Sequence, residues 1–433
     1  MDPFVVGILA ILLMIGLTFM GVPIALALLA VGSIGNIYLM GFPQTAMQIH
    51  MITWETGTNF LLIAIPCFVL MGQLVYHTEI AGDLYDFVHK WLGRLPGGLA
   101  VTGVFTSAGF GAVTGSSVAA IATMGIMVMP QMKKYNYNLR LATGSLASAG
   151  TLAIMIPPSI PMVIYGVWTE TSIGKLFIAG VIPGLILALG FCGLIVIRCL
   201  INKDLGPAGP KFSWPERFAS LRNMLPTALI FFTVLGGIYG GIFTPTEASA
   251  IGAVGILLLS LLMGRLTFRR LKDSLWQTGE ISAMIYAILV GGVMFSRLLV
   301  QTDVTPTLVN YIATLEVSPK TIIFFFSIMF LLLGAVLDTF GMLILTLPLV
   351  FPISQTLGFD PVWFGIYMTV MMEIAMLTPP IGLNVFVMQR VVPDIPLTEI
   401  FKGVLPFVVI CLIVVAIITA LPELVLWLPS TMG

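Results

Sequence analysis

Ser148-Ala149-Gly150-Thr151 runs on to Ile156-Pro157-Pro158-Ser159 inside an apolar stretch, and a second double proline stands in Met376-Leu377-Thr378-Pro379-Pro380-Ile381-Gly382-Leu383-Asn384. Two adjacent prolines remove two backbone donors, so a helix reaching either point must break. The break frees carbonyls at the end of one half-helix and N–H groups at the start of the next. The first set favours a cation and the second an anion. The bland alternative is a proline kink that binds nothing. In the second copy Thr378 is placed to cap the second half-helix, with Pro379 at its first position.

The surroundings are those of a membrane protein. Of 433 residues, 9% are charged and 58% apolar, with a mean hydropathy of +1.08. Soluble domains carry about 25% charge. Apolar runs of about 18 residues or more recur from end to end, which predicts an all-α polytopic membrane protein set in a lipid bilayer. The 19 basic and 19 acidic residues balance, which excludes a basic footprint for nucleic acid. No polar stretch exceeds roughly 20 residues, far below domain size. The first 20 residues lack a basic n-region and read as a retained span rather than a signal peptide. Cys67, Cys192, Cys199 and Cys411 lie in apolar runs and read as packing residues. His50, His77 and His89 lie in or near connecting segments and form no cluster. There is no phosphate loop, no His-Glu-x-x-His, no Gly-x-Ser-x-Gly and no nucleophile set, so the chain does not read as an enzyme.

The predicted spans fall near 4–20, 23–40 and 57–76, then a polar amphipathic arm at 78–94, a long block at 97–132, a broken span at 139–168 and a span at 174–200. A polar linker covers 202–221. The second half reads 222–243, 246–264, 276–300, a polar stretch at 302–319, a long block at 320–355, a broken span at 361–390 and a span at 401–428. The order of parts repeats. Pro130 matches Pro352 and Pro157-Pro158 matches Pro379-Pro380, each 222 residues on, and Gly111-Ala112-Val113 matches Gly334-Ala335-Val336 at 223. Each half crosses an odd number of times, whether its long block is a re-entrant hairpin or two full spans. The second half is therefore expected upside down, as in secondary transporters with inverted repeats.

Positive charge orients this arrangement. With the N-terminus outside and the hairpins not crossing, 16 of the 19 Lys and Arg residues fall on the cytoplasmic side. Lys175 and Lys320 fall outside, and Arg297 lies in or near a span. Both termini are then external.

Further candidate sites lie in the long blocks. Gly109 to Ala120 is rich in Gly and small hydroxyl residues, with Ser116 and Ser117 at its centre. Exposed carbonyls and hydroxyls there are hard oxygen ligands suited to Na⁺, if non-helical backbone lines a cavity. Small-residue helix packing is the competing reading. Asp338, followed by Thr339, occupies the matching place in the second block. A charge at bilayer depth costs on the order of 2.5–3.5 kcal/mol, so it calls for a cation, a proton or a partner, unless it merely caps a helix in a wet tip. Arg297 can hold a carboxylate bidentately or snorkel to the surface. Glu373, six residues before Pro379, either pairs, titrates or faces a polar interior. Thr244-Pro245-Thr246-Glu247 reads as a capping box.

Ala64-Ile65-Pro66 to Gly72, Gly111 to Ala120, Ile156 to Ile160, Leu176-Phe177 to Pro183-Gly184, Phe243 to Ala248 and Thr378 to Gly382 occur in one order along nearly the whole chain. In these the chain resembles the large membrane subunit of tripartite ATP-independent periplasmic (TRAP) transporters. The resemblance implies a Na⁺-coupled importer of organic anions, carboxylates such as C4-dicarboxylates or sialic acid, in the bacterial inner membrane. It implies two partners, a small four-helix membrane subunit and a periplasmic substrate-binding protein. That small subunit is expected as a separate chain, because no extra helices precede the first span.

It also implies an elevator-type ion-transporter fold, two inverted repeats with re-entrant helical hairpins and broken helices. Carried onto this chain, 97–168 and 320–390 form the transport domain. Scaffold spans and arms occupy 1–96, 169–319 and 391–433. Na⁺ is then expected at Ser116, Ser117, Gly150, Thr151 and Pro157, and at Asp338, Thr339, Thr378, Pro379 and Gly382. Ser117, Ser159, Arg297, Asp338 and Asn384 are the expected substrate contacts. A single-component Na⁺/carboxylate symporter, an ion channel and a structural membrane subunit are the rival readings.

Overall fold

The computed structural model describes residues 2–315 and 317–432, and every regular element among them is helical. Asp2 caps α1 (Pro3–Phe19) by accepting from the Phe4 N–H at 3.0 Å. The Gly21-Val22-Pro23 turn leads to α2 (Ile24–Met40). Next comes α3 (Phe42–Thr58), in a stretch where the sequence predicts no span. Its face is mixed and largely exposed, so hydropathy alone does not reveal it. A short 3₁₀ turn, Phe60–Ile63, continues into α4 (Ala64–His77), and the expected amphipathic arm is α5 (Ile80–Leu92).

Each long block is two helices joined by a tight turn. The first is α6 (Gly98–Thr114) and α7 (Ser117–Lys134). The first broken span is α8 (Leu139–Ala149), a single turn α9 (Leu152–Met155) and α10 (Ile160–Thr169), followed by α11 (Ile173–Ile201).

The linker is shorter than the sequence predicts, because α12 (Trp214–Tyr239) begins inside it. Ser213 and Glu216 form a capping box there, with Pro215 in the first turn. The Thr244–Glu247 capping box forms as predicted and starts α13 (Pro245–Leu262). The next span is also longer than its apolar part, since α14 (Phe268–Gln301) begins at the Thr267 cap.

The second arm is α15 (Val304–Thr314), and the second block is α16 (Pro319–Leu333) and α17 (Thr339–Thr356). The second broken span is α18 (Pro361–Ala375) and α19 (Leu383–Val391). The last expected span is divided at Leu421-Pro422 into α20 (Leu397–Ala420) and α21 (Glu423–Ser430). Eight helices among the described residues are long and apolar enough to cross a membrane, with Phe60–His77 taken as one and α8 to α10 taken as one.

Packing sorts the helices into two groups. One contains α2, α4, α12, α13 and α14, with α14 lying along α2 and α4, and α13 along α4. The other gathers the two blocks and the broken spans. In it α20 lies along α8, α11 packs on α6 and α20, and α18 packs on α16, α17 and α20. Of the expected frame spans, 401–428 packs through α20 chiefly on the broken helices, while 174–200 packs on α6, on the last span and on the broken helices. Contacts of α5 and α4 with α6, and of α14 and α15 with α17, join the groups. The arms α5 and α15 thus rest on corresponding blocks.

Candidate functional site

Each block presents a polar cap at its turn. Ser116 caps α7, its hydroxyl accepting from the Ala119 N–H at 3.3 Å. Asp338 caps α17, its carboxylate accepting from the Gly341 N–H at 2.9 Å. The two caps are equivalent, so the charge in the second block stands where the first has a hydroxyl. Gly115 precedes Ser116 with φ +60°, and a Cβ there would lie 3.1 Å from the Pro158 carbonyl oxygen. The first turn therefore meets the first helix break.

Around that break the predicted residues converge. Gly150 approaches the Ser117 carbonyl, to which a Cβ at 150 would come within 3.2 Å. The Thr151 hydroxyl donates to the Ser148 carbonyl at 2.7 Å. Ser159 stands at the cap position of α10, and its buried hydroxyl makes no hydrogen bond; nor do those of Ser148 and Thr114. Pro157 and Pro158 join through a cis bond, as do Pro379 and Pro380.

The second break differs from the sequence reading. Thr378 does not cap α19, because its hydroxyl donates back to the Ala375 carbonyl at 3.1 Å and closes the end of α18. Pro379 is not the first residue of α19 either. The chain stays non-helical through the two prolines and restarts after Gly382, at φ +58°. The Asn384 N–H spans the gap to the Met376 carbonyl at 3.1 Å.

Between the two halves lies a buried polar cluster. Glu373 on α18 accepts from the Thr339 hydroxyl at 3.2 Å through Oε1, while its Oε2 is unpartnered. The Asn384 side chain and the Ser117 hydroxyl lie beside this carboxyl, and both polar atoms of the Asn384 amide lack hydrogen bonds. Ser117, Thr339 and Asn384 are predicted site residues that the fold brings together. Glu373 is the centre of the group.

Two cavities flank the turns. One of about 300 Å³ is lined by Gln73 and Tyr76 of α4, Thr114 and Ser116 at the first turn, Ile160, Gln277 of α14 and Phe340 of α17. The sequence reading missed the two glutamines, although a lone amide inside or at the edge of an apolar span was a usable signal. Another of about 290 Å³ lies between Asp338, the Pro23-Ile24-Ala25 segment and Met284 of α14. Arg297 lines neither. Its guanidinium faces Glu55 of α3 at 4.0 Å, and it is about a third exposed.

The profile of the DctM component of tripartite ATP-independent periplasmic transporters matches residues 11–424. The chain belongs to the DctM family. It is 36% identical to the C4-dicarboxylate TRAP transporter large permease protein DctM of Pseudomonas aeruginosa, over 91% of this chain and 92% of that one. It is 31% identical to the sialic acid TRAP transporter large permease protein SiaM of Vibrio cholerae, over 96% of each. With the ectoine/5-hydroxyectoine permease UehC of Ruegeria pomeroyi it shares 32%, over 96% of this chain and 97% of that one. These DctM-family relatives are permeases, so this is a multi-pass membrane transport subunit and not an enzyme.

Among solved structures the fold of this DctM-family chain is similar to the YdaH transporter of Alcanivorax borkumensis. The TM-score is 0.57 at 12% identity, covering 100% of both chains. MtrF of Neisseria gonorrhoeae matches with a TM-score of 0.57 at 13% identity, over 89% of this chain and 84% of that one.

Proposed function

We propose that this subunit imports an organic anion across the bacterial inner membrane, driven by Na⁺, with both termini periplasmic. C4-dicarboxylates and sialic acid are the first substrates to test, a choice supported by the names of two relatives. A periplasmic binding protein delivers the substrate, and a small four-helix membrane subunit completes the assembly, as the word tripartite in the family description supports. One observation carries the reading. The two block turns and the two helix breaks meet around buried oxygens without hydrogen-bond partners, at Ser148, Ser159, Thr114, Glu373 and Asn384. Buried polar atoms of this kind are costly unless a ligand or water satisfies them.

Hydroxyl, carboxylate and backbone oxygens are hard donors, which fit Na⁺ rather than a soft metal. At the first break the fitting residues are Ser116, Ser117, Gly150, Thr151 and Pro157. At the second they are Asp338, Thr339, Thr378, Pro379 and Gly382. The cation offsets the charge of Asp338 and orders the two turns. The substrate carboxylate docks near Ser117, Ser159 and Asn384, beside the cavity that Gln73 and Gln277 line.

The two halves are inverted repeats, and the moving body contains the two re-entrant hairpins, the broken helices and also α11 and α20, which pack on them. It slides as an elevator against a frame of α2, α4, α12, α13 and α14, with α5 and α15 as braces. Each net positive charge carried inward gains about 2.3 kcal/mol per 100 mV, so two or more Na⁺ per monoanion give an inward drive. The test is uptake into proteoliposomes holding all three components. Uptake is expected in sodium and not in choline buffer; equal uptake in both refutes the coupling. Uptake that is indifferent to the binding protein returns the single-component symporter.

A further inference from the structure

The Glu373 carboxyl is 2% exposed and, among the described residues, takes part in no ion pair. Its Oε1 has one donor, Thr339, and its Oε2 has none. Asn384, 0% exposed, stands beside it with its amide oxygen and nitrogen both unsatisfied. A buried carboxylate without a counter-charge is among the most costly arrangements in a protein interior. An unsatisfied amide adds to the cost. A single positive ion between these groups would relieve both.

We infer that Glu373, Asn384, Thr339 and Ser117 form a carboxylate-based monovalent cation site, suited to Na⁺, at the junction of the two halves. The four side chains supply two carboxylate oxygens, one amide oxygen and two hydroxyl oxygens. All are hard donors, with no nitrogen or sulfur ligand required. The inference rests on the Na⁺ reading above and deepens it by adding to Asp338 a second fixed anionic ligand, Glu373, which is more deeply buried.

The repeat makes the site one-sided. Residue 151 of the first half corresponds to 373 of the second, so Thr151 stands where Glu373 stands. The Thr151 hydroxyl is already engaged with the Ser148 carbonyl. Glu373 keeps a free oxygen. The cation positions of the two halves are therefore unequal, and the one holding Glu373 carries the stronger field.

The test uses the full chain in lipid nanodiscs. Its unfolding temperature is followed as NaCl replaces choline chloride at constant ionic strength. The wild type should be stabilised as Na⁺ rises. A flat wild-type response removes the Na⁺ reading and this site together. Given a responding wild type, Glu373→Gln should raise the Na⁺ half-saturation roughly tenfold or more, the loss expected for one charged ligand. A wild-type half-saturation in this variant overturns the site and leaves the wider Na⁺ reading standing. If Glu373→Gln does not fold, Glu373→Asp carries the test. It keeps the charge and withdraws it by one methylene, so the half-saturation should still move several-fold. An unchanged value in Glu373→Asp overturns the site as well.

Discussion

Gly111 of α6 lies against Ala153 of α9 so closely that a Cβ at 111 would stand 2.1 Å from the Ala153 Cα. The same contact recurs in the second half, where a Cβ at Gly334 would stand 2.3 Å from the Ala375 Cβ. Each block is thus pressed onto the helix before a double-proline break by a glycine that leaves no room for a methyl group. Gly111→Ala and Gly334→Ala should each lower the unfolding temperature, with a cost of about 1–3 kcal/mol or more from overpacking. The two should differ in rescue. Ala375→Gly removes the atom nearest to position 334 and should restore part of the loss. Ala153→Gly cannot do the same for position 111, because backbone remains in the way. Thermal melts of the single and double variants check this.

Asp338 has two separable properties, a cap and a charge. Its Oδ1 accepts from the Gly341 N–H at 2.9 Å. Asn caps helices about as well as Asp, so Asp338→Asn should fold and keep α17 intact. The negative charge beside the proposed second cation position is lost. The Na⁺ half-saturation of uptake is expected to rise about tenfold, a change of about 1.4 kcal/mol. An unchanged half-saturation would make Asp338 a cap and nothing more.

The two helix breaks and the two close glycine contacts were legible in the residues because prolines and glycines mark backbone events that hydropathy does not blur. Pro157-Pro158, Pro379-Pro380, Gly111 and Gly334 are each placed by the fold at a break or a close contact. Amphipathic and partly polar helices were harder to read. The helix α3 and the first turns of α12 and α14 carry charges or amides, so an apolar window passes over them, although Ser213-Trp214-Pro215-Glu216 has the same capping logic that was read correctly at Thr244. Thr378 was misplaced because Ser and Thr serve both ends of a helix, and only the non-helical course of Pro379 to Gly382 decides which. Glu373 was visible as a charge in a span. Its neighbours, Thr339 and Asn384, come from separate elements, and sequence spacing does not join them.

Gln277 lies in α14 and faces the cavity shared with Ser116, Tyr76 and Phe340. If substrate passes through this cavity, the Gln277 amide is one of few donors on the frame side. Gln277→Leu keeps the volume and removes the polar atoms. Loss of one hydrogen bond, about 0.5–1.5 kcal/mol, should raise the substrate concentration for half-maximal uptake by a few-fold to about tenfold. The Na⁺ half-saturation should stay as in wild type. A parallel shift in both would show that the substitution disturbs the turns instead.

Tyr137 ties three segments together. Its hydroxyl donates to the Pro207 carbonyl at 2.8 Å and accepts from the Leu99 N–H at 3.2 Å. Burial pushes its phenol up to about 12, so it stays a donor across the working pH range. Tyr137→Phe leaves the Leu99 N–H without that acceptor at the start of α6, at a cost of about 1–3 kcal/mol. Hydrogen exchange should quicken at 97–101 and 205–209, with little change in α2 or α13. Uniform acceleration through the chain would point to global destabilisation and against a local tie.

Lys133 at the end of α7 donates to Asp394, in the segment between α19 and α20, at 2.7 Å. The Lys133 hydrogen bond holds the Asp394 carboxyl below its ordinary range. A carboxyl whose value is lowered by folding contributes stability that is full above its unfolded value and is lost as pH falls through the folded one. Acidification from about pH 7 to about pH 5 should therefore leave the contribution intact, and it should disappear only below the ordinary aspartate value of about 3.9. Both side chains are well exposed, so the effect is small and screened by salt. The difference in unfolding temperature between wild type and Asp394→Asn should be measurable near neutral pH in low salt. It should shrink at about 1 M salt and vanish at the acid end. A difference that persists in acid would mean that Asp394 acts through its shape and hydrogen bonds rather than its charge.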